Sequence, residues 1–269
     1  VALTKAYTFS KKTKFYYLLV DHNIRKNSTQ EAKKVKNLLK KKYLNLKILS
    51  NKKKITKNIQ AEARNVRYNI LTSFCKKKNI KVILTAHNLE DQVETFLIRL
   101  SRGSGLKGLS AMKSQTKINN QVSLFRPLLD TQKQFLIKIS KIVFGKYFID
   151  PSNKDQKYLR TKVRNLKKPL EKSGIKYEKI FKSIQNLSQS KKTLDAYLSK
   201  IFKEFIKMSN SEILINFKKY KVLNTDIKIA LINHSIKQLK SNYYDLRSKK
   251  VENLISNLNK KDFKNSTLG

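Results

Sequence analysis

The feature that most constrains this chain is a threefold alternation of short apolar runs with helix-patterned stretches in its first hundred residues. Phe15–Val20, Leu44–Leu49 and Val82–Ala86 are compact apolar runs of strand length. The first is followed by Ala32, Val35, Leu38 and Leu39, the second by Ile59, Ala63, Val66, Ile70, Leu71 and Phe74, and the third by a helical pattern from Leu89 to Leu100. Ser28-Thr29-Gln30-Glu31 has capping-box spacing ahead of the first helix, and Thr131 to Gln134 repeats it ahead of a later one. Strands joined through helices by short loops run parallel and are covered on both faces, so the fold class is α/β. A short helix is expected over Val1–Phe9, with no start signal before it.

In such a sheet a ligand sits beyond the carboxyl ends of the strands. Two of those ends are polar, Val20-Asp21-His22 and Ala86-His87-Asn88, and they are expected to face one crevice. From Thr131 the pattern turns helical. Beyond Leu170 it continues through Ile180, Ile184, Leu187, Leu194, Leu198, Ile201 and Phe205, with no further strand-like run of similar strength. A boundary near Ser173-Gly174 divides the chain into an α/β domain over 1–172 and a small helical domain over 173–269. His234 reads as an ordinary helix-surface residue.

Lys and Arg number 61 against 18 Asp and Glu, a formal charge of +43, which would draw any polyanion through counterion release. Lysine runs such as Lys52-Lys53-Lys54 and Lys76-Lys77-Lys78 also fit a plain compositional drift, so charge alone locates no site. Arginine is more informative, because in a lysine-rich background it marks places that need a planar fork. Eight of the nine arginines precede residue 165. The single cysteine, Cys75, excludes an internal disulfide and a Cys-rich metal set, and its helical setting reads as a buried thiol. No apolar run approaches the ~20 residues needed to span a bilayer, so no membrane is expected as a partner.

Three segments carry candidate chemistry. In Thr85–Thr95 a helix begins at a strand end with Glu90, Asp91 and Glu94 in its first turns, and Asp91 and Glu94 share a face at i and i+3. Such acids complement the helix dipole, or they grip a ligand ammonium. The same helix runs through Arg99 and Arg102 into Gly103-Ser104-Gly105-Leu106-Lys107-Gly108, where three of six glycines would let backbone N–H groups approach an anion. The third segment is the Asp150-Pro151-Ser152-Asn153 turn followed by Arg160 and Arg164, which four-residue spacing puts on one helical face.

In order along the chain, Val20-Asp21-His22-Asn23-Ile24-Arg25, the Gln60–Tyr68 stretch with Arg64 and Arg67, the His87–Met112 block, Arg126-Pro127-Leu128-Leu129, and the Asp150 turn with Arg160 and Arg164 resemble the tRNA(Ile)-lysidine synthetases. These are members of the PP-loop ATP pyrophosphatases. The resemblance covers roughly residues 1 to 170, and the helical remainder by architecture. The family's phosphate loop, Ser-Gly-Gly-x-Asp-Ser, is absent; in the family it lies just before a segment like Val1-Ala2-Leu3. Glu90 and Thr161 stand where the family usually has Asp and Asn. The resemblance therefore implies a fragment whose first strand and phosphate loop precede Val1, which continues past Gly269, and which forms no lysidine alone.

The same resemblance implies a cytoplasmic ligase using ATP and Mg2+, with L-lysine and tRNA(Ile) bearing a CAU anticodon as substrates, and with a homodimer as a compatible assembly. ATP adenylates the C2 carbonyl oxygen of cytidine 34, lysine attacks C2, and AMP leaves. By motif correspondence Asp91 and Glu94 would hold the lysine amino groups, with His87 and Arg64 also catalytic. Asp21, His22 and His87 would line the nucleotide crevice, and Arg99, Arg102, Arg126, Arg160 and Arg164 would bind RNA; no residue is assigned to a metal. The rival readings are a tRNA-thiolating PP-loop enzyme, disfavoured by the lone Cys75, and a non-catalytic basic RNA-binding protein.

Overall fold

The computed structural model describes residues 1, 4, 14–25, 27–51, 55, 58–149, 155–209, 212–239 and 248–258. Most of the expected opening helix and the Asp150-Pro151-Ser152-Asn153 turn lie outside the described residues. The chain packs as two units, 1–187 and 188–269.

In the first unit, β1 (Tyr17–Asp21) pairs in parallel with β2 (Leu46–Ser50), in register from Tyr17 opposite Leu46 to Asp21 opposite Ser50. The connecting helix is α1 (Ser28–Lys40), and α2 (Ile59–Lys77) follows β2. Strand alternation sends Leu18 and Val20 to one face, against Leu71 and Cys75 of α2, and Tyr17 and Leu19 to the other, against Val35 and Leu39 of α1. Both faces of the strand pair are thus covered, as the alternation required. A second sheet piece holds β3 (Val82–Leu84), β4 (Gln115–Lys117) and β5 (Ser123–Phe125), with β3 parallel and β4 antiparallel to β5. Ile83, Val122 and Leu124 share the core of Leu71 and Cys75 that also receives Leu18, Val20 and Leu49, so α2 joins the two pieces.

Helix α3 (Leu89–Leu100) leaves β3 and leads through α4 (Leu106–Leu109) to the β4–β5 hairpin. Helices α5 (Lys133–Phe144), α6 (Leu159–Asn165), α7 (Lys167–Lys172) and α8 (Tyr177–Phe205) follow. Leu89, Val93 and Ala111 form a second core with Tyr177 and Ile184 of α8. The packing division falls inside α8, whereas the sequence pattern put a boundary at Ser173-Gly174, where the chain only turns, with Gly174 at φ +88°.

Neither capping box read from sequence forms. Ser28 and Thr29 turn their hydroxyls to the Asp21 carboxylate, and Asn27 caps α1 without a side-chain bond. At α5 the Lys133 N–H is taken by Glu90, which reaches across from α3 at 2.8 Å. The capping box in this region is instead Asn88 with Asp91, whose side chains each accept the other's backbone N–H, at 3.0 and 3.1 Å.

The glycine-rich turn after α3 is closed in part by its own backbone. The N–H groups of Gly103, Ser104 and Gly108 donate within the turn, to Leu100, Arg99 and Gly105. Glycine is needed at 108 because a Cβ there would lie 2.5 Å from the Ser104 Cβ. Arg99 donates through Nη1 to the Gly108 and Ala111 carbonyls at 2.7 and 2.8 Å, and Gln92 forms a reciprocal pair with the Met112 N–H and carbonyl. These bonds hold Ala111 at a left-handed φ of 51°.

The second unit contains the remainder of α8, an antiparallel hairpin of β6 (Ile206–Met208) and β7 (Ile213–Ile215), and helices α9 (Phe217–Lys221), α10 (Thr225–Leu239) and α11 (Ser248–Leu258). The unit is mainly helical, as the pattern required, and the hairpin adds two three-residue strands, which carry too little pattern to stand out. Ile201, Tyr220, Leu231, Ile232, Val251 and Ile255 form its core. His234 is not a plain surface residue, since its ring stacks on Phe202 at 3.9 Å. Among the described residues no helix is long and apolar enough to cross a membrane.

Gln92 is 5% exposed, so Gln92→Leu would strand two peptide groups of Met112. Each unsatisfied buried group costs about 1–3 kcal/mol, and urea unfolding should register a loss of roughly 2–4 kcal/mol. A loss below about 0.5 kcal/mol, the level of an ordinary surface change, would show that the pairing contributes nothing to stability.

Candidate active site

The site gathers side chains from the segments just beyond the strand ends of the first unit. The end of β1 supplies Asp21 and His22, the segment after β3 supplies Thr85 and His87, Arg126 comes directly after β5, and α2 points Arg64 and Arg67 toward them from its first half. His22 and His87 both lie within electrostatic range of Arg67, so the two polar strand ends are neighbours.

Asp21 has an internal role. Its Oδ1 accepts from the Asn23 N–H at 3.0 Å and the Ser28 hydroxyl at 2.7 Å, and its Oδ2 accepts from Thr29 at 2.7 Å. Burial pushes its pKa up, but the bonds from Thr29, Asn23 and Ser28, with His22 nearby, outweigh this and leave it below the usual carboxylate range. Asp21 therefore ties β1 to the start of α1, and His22 is the more available member of that strand end. Arg67 lies 3.5 Å from the His22 Nε2, at the outer limit of a hydrogen bond.

His87 is set among cations. Its Nδ1 lies 2.9 Å from the Thr85 hydroxyl. Burial, followed by Arg126, Arg160, Arg64 and Arg67, lowers its pKa to about 4, so the imidazole is neutral at pH 7. Arg126 is 5% exposed and donates through Nη1 to the Lys113 carbonyl at 2.8 Å and the Thr116 hydroxyl at 2.9 Å. It forms no ion pair among the described residues, and its buried Nε has no hydrogen-bond partner. Arg64 stacks over the Tyr68 ring at 4.9 Å, and Tyr68 stands near enough to Arg126 to favour its charge. A buried guanidinium beside more guanidiniums and a neutral imidazole is an anion-binding arrangement, because a charge buried without a counterion is costly.

Across the site stands an acid–arginine cluster. Glu94, 2% exposed, accepts from Arg164 Nε at 2.7 Å on Oε1, and from Arg160 Nε at 2.9 Å and Arg164 Nη2 at 3.0 Å on Oε2. Asp91 receives Arg160 Nη2 at 3.3 Å and keeps 22% of its side chain exposed. Burial raises the Asp91 pKa, with Arg160 opposing. The i, i+3 acids and the i, i+4 arginines do share faces, and the faces meet. Glu94 is saturated by its two arginines, whereas Asp91 retains acceptor capacity toward a ligand. Arg99 is spent on the glycine turn and Arg102 is exposed beside it.

Sequence reading assigned no role to Arg67, Tyr68 or Thr85. Their signal was present in spacing: Arg64 and Tyr68 are at i and i+4 on α2, and Thr85 lies two residues before His87.

A polar site at the carboxyl ends of parallel strands is where open α/β folds bind their ligands. The chain belongs to the PP-loop domain family, whose model matches residues 1–170. It is 34% identical over 248 residues to a tRNA(Ile)-lysidine synthase of Wolbachia pipientis wMel, covering 91% of this chain and 57% of that protein. It is 40% identical over 171 residues to the tRNA(Ile)-lysidine synthase of Orientia tsutsugamushi (strain Boryong), covering 62% of this chain and 38% of that protein. The chain thus spans little more than half the length of the Wolbachia relative. A solved structure of a U34-tRNA thiolase from Methanococcus maripaludis, with an iron–sulfur cluster, matches with TM-score 0.56 at 18% identity over 70% of this chain and 65% of that one, a likeness of fold.

Because His87 is held neutral below its ordinary pKa, the unfolded chain binds its proton first as the pH falls. The stability it allows is present above about pH 6.5 and is lost as the pH drops toward about 4. Denaturant unfolding from pH 7 to 4 should show a smaller loss for His87→Asn than for the unaltered chain. Parallel curves for the two would remove His87 from the acid response.

Proposed function

We propose that this chain carries the lysine- and RNA-handling part of a tRNA(Ile)-lysidine synthetase, a ligase that joins L-lysine to C2 of cytidine 34 in the CAU anticodon of tRNA(Ile). In this reading residues 1–172 are catalytic and 173–269 contact tRNA. The observation that carries it is the juxtaposition of a partly exposed acid, Asp91, with a cation-rich pocket around neutral His87. One side suits an ammonium and the other a phosphate, and the reaction needs both together. The similarity to synthases of the same name supports the choice of reaction.

ATP supplies the activation, converting a poor leaving oxygen at C2 into an adenylate. The donor set fits such an anion: Arg126 offers an unpartnered buried Nε, and Arg64 and Arg67 stand on the same side of the crevice. These cations would stabilise negative charge developing on phosphate oxygens. His22 and His87 would line the nucleotide side. Mg2+ is poorly matched to a cage made by the protein: no group of three metal-ligating side chains occurs among the described residues, and Asp21 and Glu94 are already saturated. A Mg2+ held chiefly by phosphates suits this pattern.

Asp91 would accept hydrogen bonds from the lysine amino group and orient it. Glu94 would act one step back, fixing Arg160 and Arg164, which would meet the RNA phosphates or the activated base. Thiolation chemistry finds no support in the side chains, since Cys75 is buried at 2% exposure and burial pushes its thiol pKa up.

The full-length gene product should convert a tRNA(Ile) anticodon stem-loop to a heavier product only when lysine and ATP are both present. Asp91→Asn should raise the lysine KM by roughly tenfold or more, the loss of one charge-assisted bond, with little change in the ATP KM. Glu94→Gln should lower kcat as well, because it loosens both arginines. Equal effects of Asp91→Asn on lysine and ATP would count against its role, and no lysine-dependent mass change would end the lysidine reading.

A further inference from the structure

At the opposite end of the β1–β2 pair lies a groove of about 450 Å³ that the proposed chemistry does not use. It is lined by residues at the amino ends of both strands, including Lys14, Tyr16 and Lys47, together with Lys36 of α1 and Phe74 and Lys78 at the end of α2. No acidic residue lines it, and none of its four lysines forms an ion pair among the described residues. Tyr16 is 40% exposed and meets the Phe74 ring edge-on at 5.8 Å. Lys14 stands 5.3 Å from the Tyr16 ring centre, and Lys47 stands 5.3 Å from that of Phe74.

We propose that this groove is a second nucleic-acid site, which takes an unpaired nucleotide of an RNA strand with its base against Tyr16 and its phosphates among Lys14, Lys36, Lys47 and Lys78. An exposed ring flanked by cations is a recognition surface for single strands: the Tyr16 ring stacks any base, the buried Phe74 backs it, and the ammonium groups track the backbone. The apolar floor excludes a purely electrostatic phosphate patch, and four uncompensated lysines make an apolar or cationic occupant unfavourable. The lysines are not explained by helix-dipole complementation alone. That would account for Lys78 at the end of α2, but Lys14 and Lys47 belong to the strand layer.

The groove and the active site are joined by α2. Arg64 and Lys78 are fourteen residues apart, roughly 20 Å at 1.5 Å per residue, the span of a few nucleotides. An RNA held in the crevice by its anticodon therefore has a second anchor within reach of its own strand. The groove's binding does not depend on whether the crevice makes lysidine.

The probe is a fluorescein-labelled oligouridylate twelve-mer against an RNA duplex of equal length, titrated with the full chain at about 0.15 M salt. Tyr16→Leu should weaken the single strand by about tenfold, the loss of one stacked base, and leave the duplex unchanged, while Tyr16→Phe should bind as the unaltered protein does. Lys14→Gln with Lys47→Gln should weaken the single strand more than Lys168→Gln with Lys172→Gln, an equal charge loss at exposed positions elsewhere in the unit. Equal effects of the two lysine pairs, or a Tyr16→Leu variant that binds both probes like the unaltered protein or loses both alike, would overturn the site. Uridine monophosphate binding as tightly as the twelve-mer would also overturn it, by making the ligand a free nucleotide. Lysidine formation is measured separately, so failure here leaves that reading standing.

Discussion

The Glu94 carboxylate, buried between two guanidiniums, is the interaction on which the first unit's functional geometry depends. Burying one ionised group costs several kcal/mol unless its partners are well placed. Glu94 meets that condition with three hydrogen bonds from residues 66 and 70 positions away in the chain. The effect is double. Helix α6 is pinned against α3, and Arg160 is held where it touches Asp91 and lowers the pKa of His87. Removing the carboxylate would leave two cations facing one another, so the cluster works as a unit.

Arginine does three different jobs within this small volume, and the differences come from its acceptors. Arg160 and Arg164 neutralise acids. Arg99 donates to two backbone carbonyls and holds a turn that contains a left-handed alanine. Arg126 is anchored by a carbonyl and a hydroxyl, neither of which removes its charge, so it alone of these brings a net positive field into a buried place. Spacing can indicate that an arginine needs its planar fork, but the fork's acceptor lies in another segment. Arg126 and Lys113 are thirteen residues apart, and nothing local in either marks the pairing.

The same limit governs how much of the fold was legible. The strands β1 and β2, their helices and the shared face of Asp91 and Glu94 arise from patterns of period two or near four, which survive a lysine-rich composition. The β4–β5 hairpin does not, because Gln115-Thr116-Lys117 is exposed and presents no apolar side. The capping boxes were misread for a related reason. Ser28 has the right spacing to Glu31, but Asp21 offers its hydroxyl a charged acceptor at 2.7 Å, a stronger bond than a backbone cap provides. The glycine turn, too, has the composition of an anion loop, yet the N–H groups of Gly103, Ser104 and Gly108 donate within the turn.

With 61 basic residues, position rather than number decides what a cation does. Along α2 the two kinds separate: Arg64 and Arg67 lie in the half nearest the crevice, and Lys76, Lys77 and Lys78 lie at the far end, where the helix dipole favours them. An arginine can be partly desolvated because its charge is delocalised and weakly hydrated, whereas an ammonium resists burial. The crevice, with a neutral histidine and a buried guanidinium, therefore requires arginine. The open groove at the other end tolerates lysine. One helix thus presents two cationic ends: its arginine end stands beside the buried Arg126 and the neutral His87, and its lysine end borders the open groove.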